Sequence, residues 1–428
     1  MAEPGGGERA LDRRSFLRGA ALAGLGAGLA RALGPLAAHA AADPGPPPAS
    51  PPRVRGVRTL GRTGLRVSDI GFGSSRLEGD EALVRHALER GITYFDTAES
   101  YTGGRAEETL GRALQGRREQ VLLATKTSAG PRAGAAELMQ ALEGSLRRLR
   151  TDRVDVYFNH AVNDRARIEN PAWPEFVARA RREGKIRFCG MSGHGGNLVE
   201  CLDFALDHDL VDVVLVAYNF GQDPGWLSRL TRDFDFVAPQ PELPRALAKA
   251  RQKGVGVVAM KTLRGARLND LRPYETEGVS FAQAALRWVL SAGLADSLVV
   301  TMTGAAQVDE YLGASGAGPP GRAELRLLER YEASAATLQC RSACRACATA
   351  CPEGAPIGEL LRLRMYAEDY GDPALARREA AALSAAGLRL DACLGCTHHA
   401  CRGACPFGLE LPALAPRGAA LAAQAPAV

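Results

Sequence analysis

Between residues 56 and 316, short runs of β-branched and aromatic residues alternate with stretches in which apolar positions recur every three or four residues. The β-type runs are Val67–Gly73, Ile92–Thr97, Val121–Thr127, Val154–His160, Ile186–Ser192, Val211–Asn219, Val255–Lys261 and Ser297–Thr303. Asp80–Arg90, Ala136–Leu149 and Phe281–Ser291 read as amphipathic helices between them. Eight such units with right-handed crossovers close naturally into an α/β fold, the (β/α)8 TIM barrel. An open doubly wound sheet is the alternative. It would need a strand–GxGxxG–helix unit, and Gly71-Phe72-Gly73-Ser74-Ser75-Arg76 lacks the last glycine.

Three runs end in polar residues. Asp96 follows Tyr94-Phe95, Lys126 follows Val121–Thr125, and His160 closes Val154–Asn159. If these are successive parallel strands, all three emerge at the carboxyl end of the barrel, where active residues of this fold sit. Tyr101 hangs over them from the loop after Asp96. Each has a plain structural reading alone: a helix N-cap, a surface charge, a satisfied core histidine. Four in this order at four strand ends or loops speak for chemistry.

Leu60-Gly61-Arg62-Thr63-Gly64-Leu65-Arg66-Val67-Ser68, the Asp96–Tyr101 segment, Glu108-Thr109-Leu110-Gly111-Arg112-Ala113-Leu114 and the Lys126 and His160 strand ends together resemble an aldo-keto reductase. The resemblance implies a catalytic tetrad of Asp96, Tyr101, Lys126 and His160, acting on a small carbonyl or sugar-like substrate. Tyr101 would be the general acid, Lys126 and Asp96 its tuners, and His160 the donor that orients the substrate oxygen. It also implies NADP or NAD, gripped near Ser192, Met260, Lys261 and Gly304. Here the chain departs from the family pattern. Gly193 follows Ser192 where an Asn is usual, Leu215 takes the place of a Gln, and Met260 that of a stacking aromatic. Thr303-Gly304-Ala305-Ala306-Gln307 has no Lys or Arg for a 2′-phosphate, which leaves Arg264 and Arg267 as substitute charges.

Composition adds two further segments. The 428 residues, 46% of them apolar, exceed one ordinary domain. The net charge of +5 is spread along the chain with no basic block, so nucleic acid is not an expected partner. Arg13-Arg14 precedes a weakly apolar Gly19–Leu36 stretch and Ala38-His39-Ala40, which resembles a twin-arginine export signal over residues 1–42. A signal anchor or an ordinary surface helix is the alternative. Export predicts a periplasmic or otherwise exported protein handled by the twin-arginine translocation machinery. The Pro-rich residues 43–56 read as a stiff linker, 57–318 as the barrel and 319–428 as a second domain.

That second domain carries eight of the ten cysteines. Cys340-x3-Cys344-x2-Cys347-x3-Cys351-Pro352 and Cys393-x2-Cys396-x4-Cys401-x3-Cys405-Pro406 each close in Cys-Pro, a ferredoxin-type signature for two [4Fe–4S] clusters. The fourth cysteine of each run is a candidate ligand of the opposite cluster. Helical patterns at Ala323–Leu338, Ile357–Tyr370 and Pro373–Ala385 point to a helical ferredoxin-like two-cluster domain. Zinc, disulfides and a radical S-adenosylmethionine cluster are the alternatives. Zinc knuckles pair C-x2-C with longer gaps, and the radical motif leaves out a fourth ligand such as Cys351. Cys189 and Cys201 read as buried small hydrophobes, and His398 and His399 as solvated. The leading expectation is an exported reductase exchanging electrons with an unknown redox partner. The alternative is an electron-transfer or interaction subunit whose barrel does not turn over nicotinamide.

Overall fold

The computed structural model describes residues 51–195, 197–222, 240–264, 275, 278–335, 340, 347, 349–369, 373–385, 387–405 and 408–424. Expectations for residues 1–42, for the linker up to residue 50, and for Arg267 and Cys344 lie outside the described residues. Strands β1 (Val57–Thr59) and β2 (Arg66–Ser68) form an antiparallel hairpin. Eight parallel strands then close one barrel: β3 (Ile70–Gly73), β4 (Tyr94–Asp96), β5 (Leu122–Thr127), β6 (Val154–Asn159), β7 (Ile186–Gly193), β8 (Val213–Ala217), β9 (Gly256–Met260) and β10 (Ser297–Thr301). Each pairs with its successor, and β10 returns to β3 with Leu298 opposite Ile70. All eight expected runs enter the barrel.

The first run behaves differently from the expectation. It is not one strand but two, broken at Asp69. That side chain is buried and accepts from Ser315 Oγ at 2.6 Å and from Gly316 N at 2.8 Å. A buried carboxylate needs such partners, and reaching them turns the chain out of the sheet. The hairpin so released places Leu60, Leu65 and Val67 in one cluster with the barrel interior, against Tyr94, Val156, Phe158, Leu215 and Val258. Gly61 allows this approach, because a Cβ there would lie 2.3 Å from Gly256 N.

The barrel helices are α1 (Glu81–Glu89), α2 (Arg105–Ala113), α3 (Ala135–Leu149), α4 (Arg165–Ile168), α5 (Ala172–Arg182), α6 (Leu198–Asp207), α7 (Leu243–Gln252), α8 (Phe281–Ser291) and α9 (Ala305–Leu312). Their apolar faces and the outward faces of the strands form the larger core. Three begin at side-chain caps: Asp80 accepts from Leu83 N at 2.9 Å, Asp164 from Ala166 N at 2.9 Å and Ser280 from Gln283 N at 3.2 Å.

The connector α10 (Arg322–Ala335) leads to α11 (Ile357–Arg364), which runs on as a π-turn over Met365–Asp369, then to α12 (Pro373–Ala385) and α13 (Leu411–Ala423). No helix is among the sequence expectations for these last residues, and Pro412 and Pro416 are unfavourable to one. Pro412 falls in its first turn, where no N–H partner is lost. Helix α13 survives by packing: Gly418 sits so close to α11 that a Cβ would lie 1.9 Å from Leu360 O. No helix among the described residues is long and apolar enough to cross a membrane.

Candidate active site

The four expected catalytic residues converge at the carboxyl ends of β4, β5 and β6. Asp96 ends β4 opposite Ala124, Lys126 stands on β5 opposite Phe158, and His160 follows β6 with its N–H donating to Thr127 O at 2.9 Å. Lys126 is fully buried. Its Nζ donates to Asp96 Oδ1 at 2.6 Å, to Thr97 O at 2.5 Å and to Tyr101 Oη at 3.4 Å. An ammonium has three protons, and all three are used.

Tyr101 reaches this point through a tight reversal. Thr102, Gly103 and Gly104 all take left-handed backbone, with φ of 50°, 67° and 92°. The two glycines adopt it freely. At Thr102 it costs about 1–2 kcal/mol, partly offset by a hydrogen bond from its Oγ1 to Leu77 O at 3.1 Å. The turn lays the phenol ring 4.8 Å from Lys126 Nζ and edge-on to the His160 ring at 5.7 Å.

Burial raises the Asp96 pKa, with Lys126 opposing the rise. Burial opposes the Lys126 charge too, but Asp96 and Tyr101 outweigh it and the Lys126 pKa rises. The raised lysine decides the charge state: an ammonium held against a carboxylate keeps its proton, and the carboxylate beside it stays ionised. His160 is pushed down to about 3 by burial and then by Lys126, His194, Arg167 and Lys261. Its imidazole is therefore neutral at ordinary pH.

Three residues beside the tetrad escaped the sequence reading. Glu99 Oε1 accepts from Thr127 Oγ1 at 2.9 Å and Ser128 N at 2.7 Å, tying the Tyr101 loop to the end of β5. Ser128 Oγ lies 3.3 Å from His160 Nδ1. Arg167 donates to His160 O at 2.5 Å and to Asn159 Oδ1 at 2.6 Å. Only their neighbourhood to strand ends could have singled them out.

The other half of the barrel mouth holds the expected nucleotide residues. Ser192 is buried at the end of β7, and its Oγ accepts from Ala161 N at 2.9 Å. Leu215 lies opposite Ser192 on β8 and belongs to the apolar interior, so no polar group stands in place of the usual glutamine. Met260 ends β9, half-buried against that interior. Lys261 follows with φ of 53°, its carbonyl accepting from Asn219 Nδ2 at 3.2 Å. Gly304 precedes α9, and a Cβ there would meet nothing within 4 Å.

Arg264 is not where a substitute phosphate grip would need it. It is buried, and its guanidinium pairs with the buried Glu332 of α10, NH2 to Oε1 at 2.6 Å and Nε to Oε2 at 2.5 Å. Gly221 makes the room, since a Cβ there would lie 1.5 Å from the guanidinium. The physical reason is desolvation: a cation buried under the barrel mouth needs a carboxylate, and the connector helix supplies one.

None of the nine described cysteines is in a disulfide. In the tail, Cys347 and Cys393 are buried, and Cys340, Cys351, Cys401 and Cys405 pack against the same core. Cys393 is pushed up to about 11 by burial and by Cys351, Cys401 and Cys396. Burial also raises Cys401, where Cys396 and Cys351 act as well. Cys351 of the first run thus shares a core with Cys393, Cys401 and Cys405 of the second. Among the described residues, no three His, Cys, Asp or Glu side chains are placed to hold a single metal ion. Cys189 and Cys201 are buried in the barrel and pushed by burial to about 12 and about 11. His398 and His399 are exposed.

The likeness to known proteins runs through the barrel. Residues 69–317 match the aldo/keto reductase family. The uncharacterized oxidoreductase YqkF of Bacillus subtilis is 28% identical over 302 residues, covering 64% of this chain and 95% of that protein. The methylglyoxal reductase YeaE of Escherichia coli is 30% identical over 230 residues, covering 52% of this chain and 74% of its own length. Among solved structures, an aldo-keto reductase from Klebsiella pneumoniae in complex with NADPH superposes with a TM-score of 0.51 at 26% identity, covering 66% of this chain and 95% of that one. The matched segment spans more than half of the sequence and contains all eight strands of the closed barrel. This chain belongs to the aldo/keto reductase family and is an oxidoreductase.

Proposed function

We propose that the chain is an exported oxidoreductase that interconverts a small or sugar-like carbonyl and its alcohol, and exchanges single electrons through two [4Fe–4S] clusters in its tail. The observation that carries the barrel chemistry is Lys126 Nζ held between Asp96 Oδ1 at 2.6 Å and Tyr101 Oη at 3.4 Å. Reduction of a carbonyl needs a hydride on carbon and a proton on oxygen. A bound nicotinamide, NADP or NAD, supplies the hydride. Tyr101 Oη donates the proton to the oxygen as the C=O π bond breaks, and the phenolate left behind is stabilised by the Lys126 charge. A tyrosine, with an ordinary pKa of about 10, holds that proton at neutral pH until the substrate takes it. Neutral His160 donates a hydrogen bond to the same oxygen as charge builds on it. Oxidation of the alcohol reverses each step.

The residues present fit a nicotinamide nucleotide in part. Ser192 Oγ, accepting from Ala161 N, keeps its own proton to donate to a carboxamide. The open side of Gly304 leaves a phosphate room at the start of α9. The Klebsiella pneumoniae relative in complex with NADPH and the methylglyoxal reductase YeaE support the cofactor and the substrate class. In the tail, Cys340, Cys344 and Cys347 with Cys405, and Cys393, Cys396 and Cys401 with Cys351, would hold the clusters. The electrostatic reach of Cys351 to Cys393 and Cys401 supports this crosswise set. Arg13-Arg14 supports export by the twin-arginine route, which carries folded, loaded proteins.

The test is one preparation of the exported chain, handled anaerobically and assayed for iron, sulfide and released nucleotide. About eight irons with stoichiometric nicotinamide nucleotide support the reading. A second reading, an electron-transfer subunit whose barrel no longer turns over nicotinamide, is favoured by Leu215 and by the pairing of Arg264 with Glu332. The same iron with no nucleotide, and none bound on titration, selects it. Iron absent altogether defeats both.

A further inference from the structure

We infer that Ser128 is a positioning residue: its hydroxyl donates to His160 Nδ1 and so holds the imidazole proton on Nε2, the nitrogen left to face a substrate oxygen. The inference rests on the carbonyl-reducing reading of the site. A neutral imidazole carries one N–H, and the hydrogen bond at one nitrogen decides which of the two has it. Ser128 Oγ is 3.3 Å from Nδ1, and neither Oγ nor His160 Nε2 has another hydrogen-bond partner among the described residues. If Nδ1 carried the proton and gave it to Ser128 Oγ, Nε2 would present a lone pair to an oxygen that is itself gaining negative charge. That arrangement repels. With the serine as donor, Nε2–H points its proton at the developing charge.

The backbone around the pair is fixed for this purpose. Glu99 Oε1 accepts from Ser128 N at 2.7 Å and from Thr127 Oγ1 at 2.9 Å, Thr127 Oγ1 accepts from Ala129 N at 3.2 Å, and Thr127 O accepts from His160 N at 2.9 Å. Serine and histidine are thus held on adjoining strand ends by one carboxylate and one carbonyl. The charged and titratable groups acting on His160 are Lys126 from β5, Arg167 from α4, His194 after β7 and Lys261 after β9. All are cationic or become so, and none offers Nδ1 an acceptor that would draw the proton across. Glu99, the nearby carboxylate, is engaged by Thr127 and Ser128.

The test reads the tautomer directly. Two-bond ¹H–¹⁵N spectra of the full chain, labelled with ¹⁵N-histidine, are recorded at neutral pH and His160 is assigned by its loss in His160→Gln. The expected wild-type pattern is a neutral ring with the proton on Nε2. Ser128→Thr keeps that pattern, Ser128→Ala shows both tautomers exchanging, and Ser128→Asp, whose carboxylate only accepts, moves the proton to Nδ1 and raises the His160 pKa. A wild-type Nδ1–H ring, or a Ser128→Asp spectrum identical to wild type, overturns the assignment. In reductase assays kcat falls about hundredfold in Ser128→Asp with KM little changed, as expected for losing one donor to a developing oxyanion, and Ser128→Thr restores it. Loss of kcat equal in Ser128→Thr and Ser128→Asp overturns the positioning role. If the spectra behave as stated while Tyr101→Phe keeps full reductase activity, the reaction assignment fails and the tautomer assignment stands.

Discussion

The two halves of the barrel mouth handle charge in opposite ways. At the ends of β4, β5 and β6, one buried ammonium is aimed at the site, with Asp96 behind it and Tyr101 in front. At the ends of β8 and β9, the buried guanidinium of Arg264 is turned away and neutralised by Glu332 from the connector helix. The first arrangement keeps one of the ammonium's hydrogen bonds on a phenol, a group with a proton to give. The second uses a charge to fasten the segment that follows β9 to α10, the helix that leads into the cysteine-rich tail. A cation near a strand end is thus not a functional group until its partner is known.

Breaking the first half gives the largest expected effect. Tyr101→Phe removes the proposed proton donor and is expected to lower kcat about a thousandfold, while nucleotide binding measured by fluorescence titration stays unchanged. Lys126→Met leaves Asp96 buried without its cation and destabilises the fold by about 3–5 kcal/mol in denaturant titration. Breaking the second half costs stability but spares chemistry. Glu332→Gln takes the buried carboxylate away from Arg264 and also destabilises by about 3 kcal/mol or more, with kcat close to wild type. The charge-free double variant Arg264→Met/Glu332→Leu recovers most of that loss. If it does not, the pair is more than a fastening.

Acid sharpens the same contrast. His160 has a folded pKa of about 3 against 6.5 for the free residue. The unfolded chain therefore binds a proton that the folded site refuses. Its contribution to stability is fully present above about 6.5 and is lost as pH falls from there toward about 3. In urea melts across that window the wild type should lose stability relative to His160→Asn as acid is added. The smallest effect concerns the nucleotide. Because Arg264 is committed to Glu332, the Kd values for NADPH and NADH should agree within a few-fold, a gap under about 1 kcal/mol. A strong preference for NADPH in the wild type would mean that another cation grips the 2′-phosphate.

Much of the barrel was legible because its signals are local. Alternating apolar runs and helices announced eight units, and each run did become a barrel strand. The first run was misjudged as a single strand, since nothing in Val67–Gly73 shows that Asp69 will find Ser315 and Gly316 some 250 positions away. Helix α13 was missed for a similar reason. Its prolines argue locally against a helix, and only the contact of Gly418 with Leu360 shows why it forms.

The site divides along the same line. The order of polar residues at the ends of apolar runs, with Tyr101 in the loop after the first, marked Asp96, Tyr101, Lys126 and His160 as candidates, because a parallel barrel puts every strand's carboxyl end on one face. Cysteine spacing likewise determined the candidate ligands of the tail. Tertiary structure alone decided which charges meet. It turned Arg264 inward to Glu332, brought Cys351 into one core with Cys393, Cys401 and Cys405, and set Ser128 against His160. Pairing energies depend on distance and burial, and a sequence specifies neither until the chain has closed on itself.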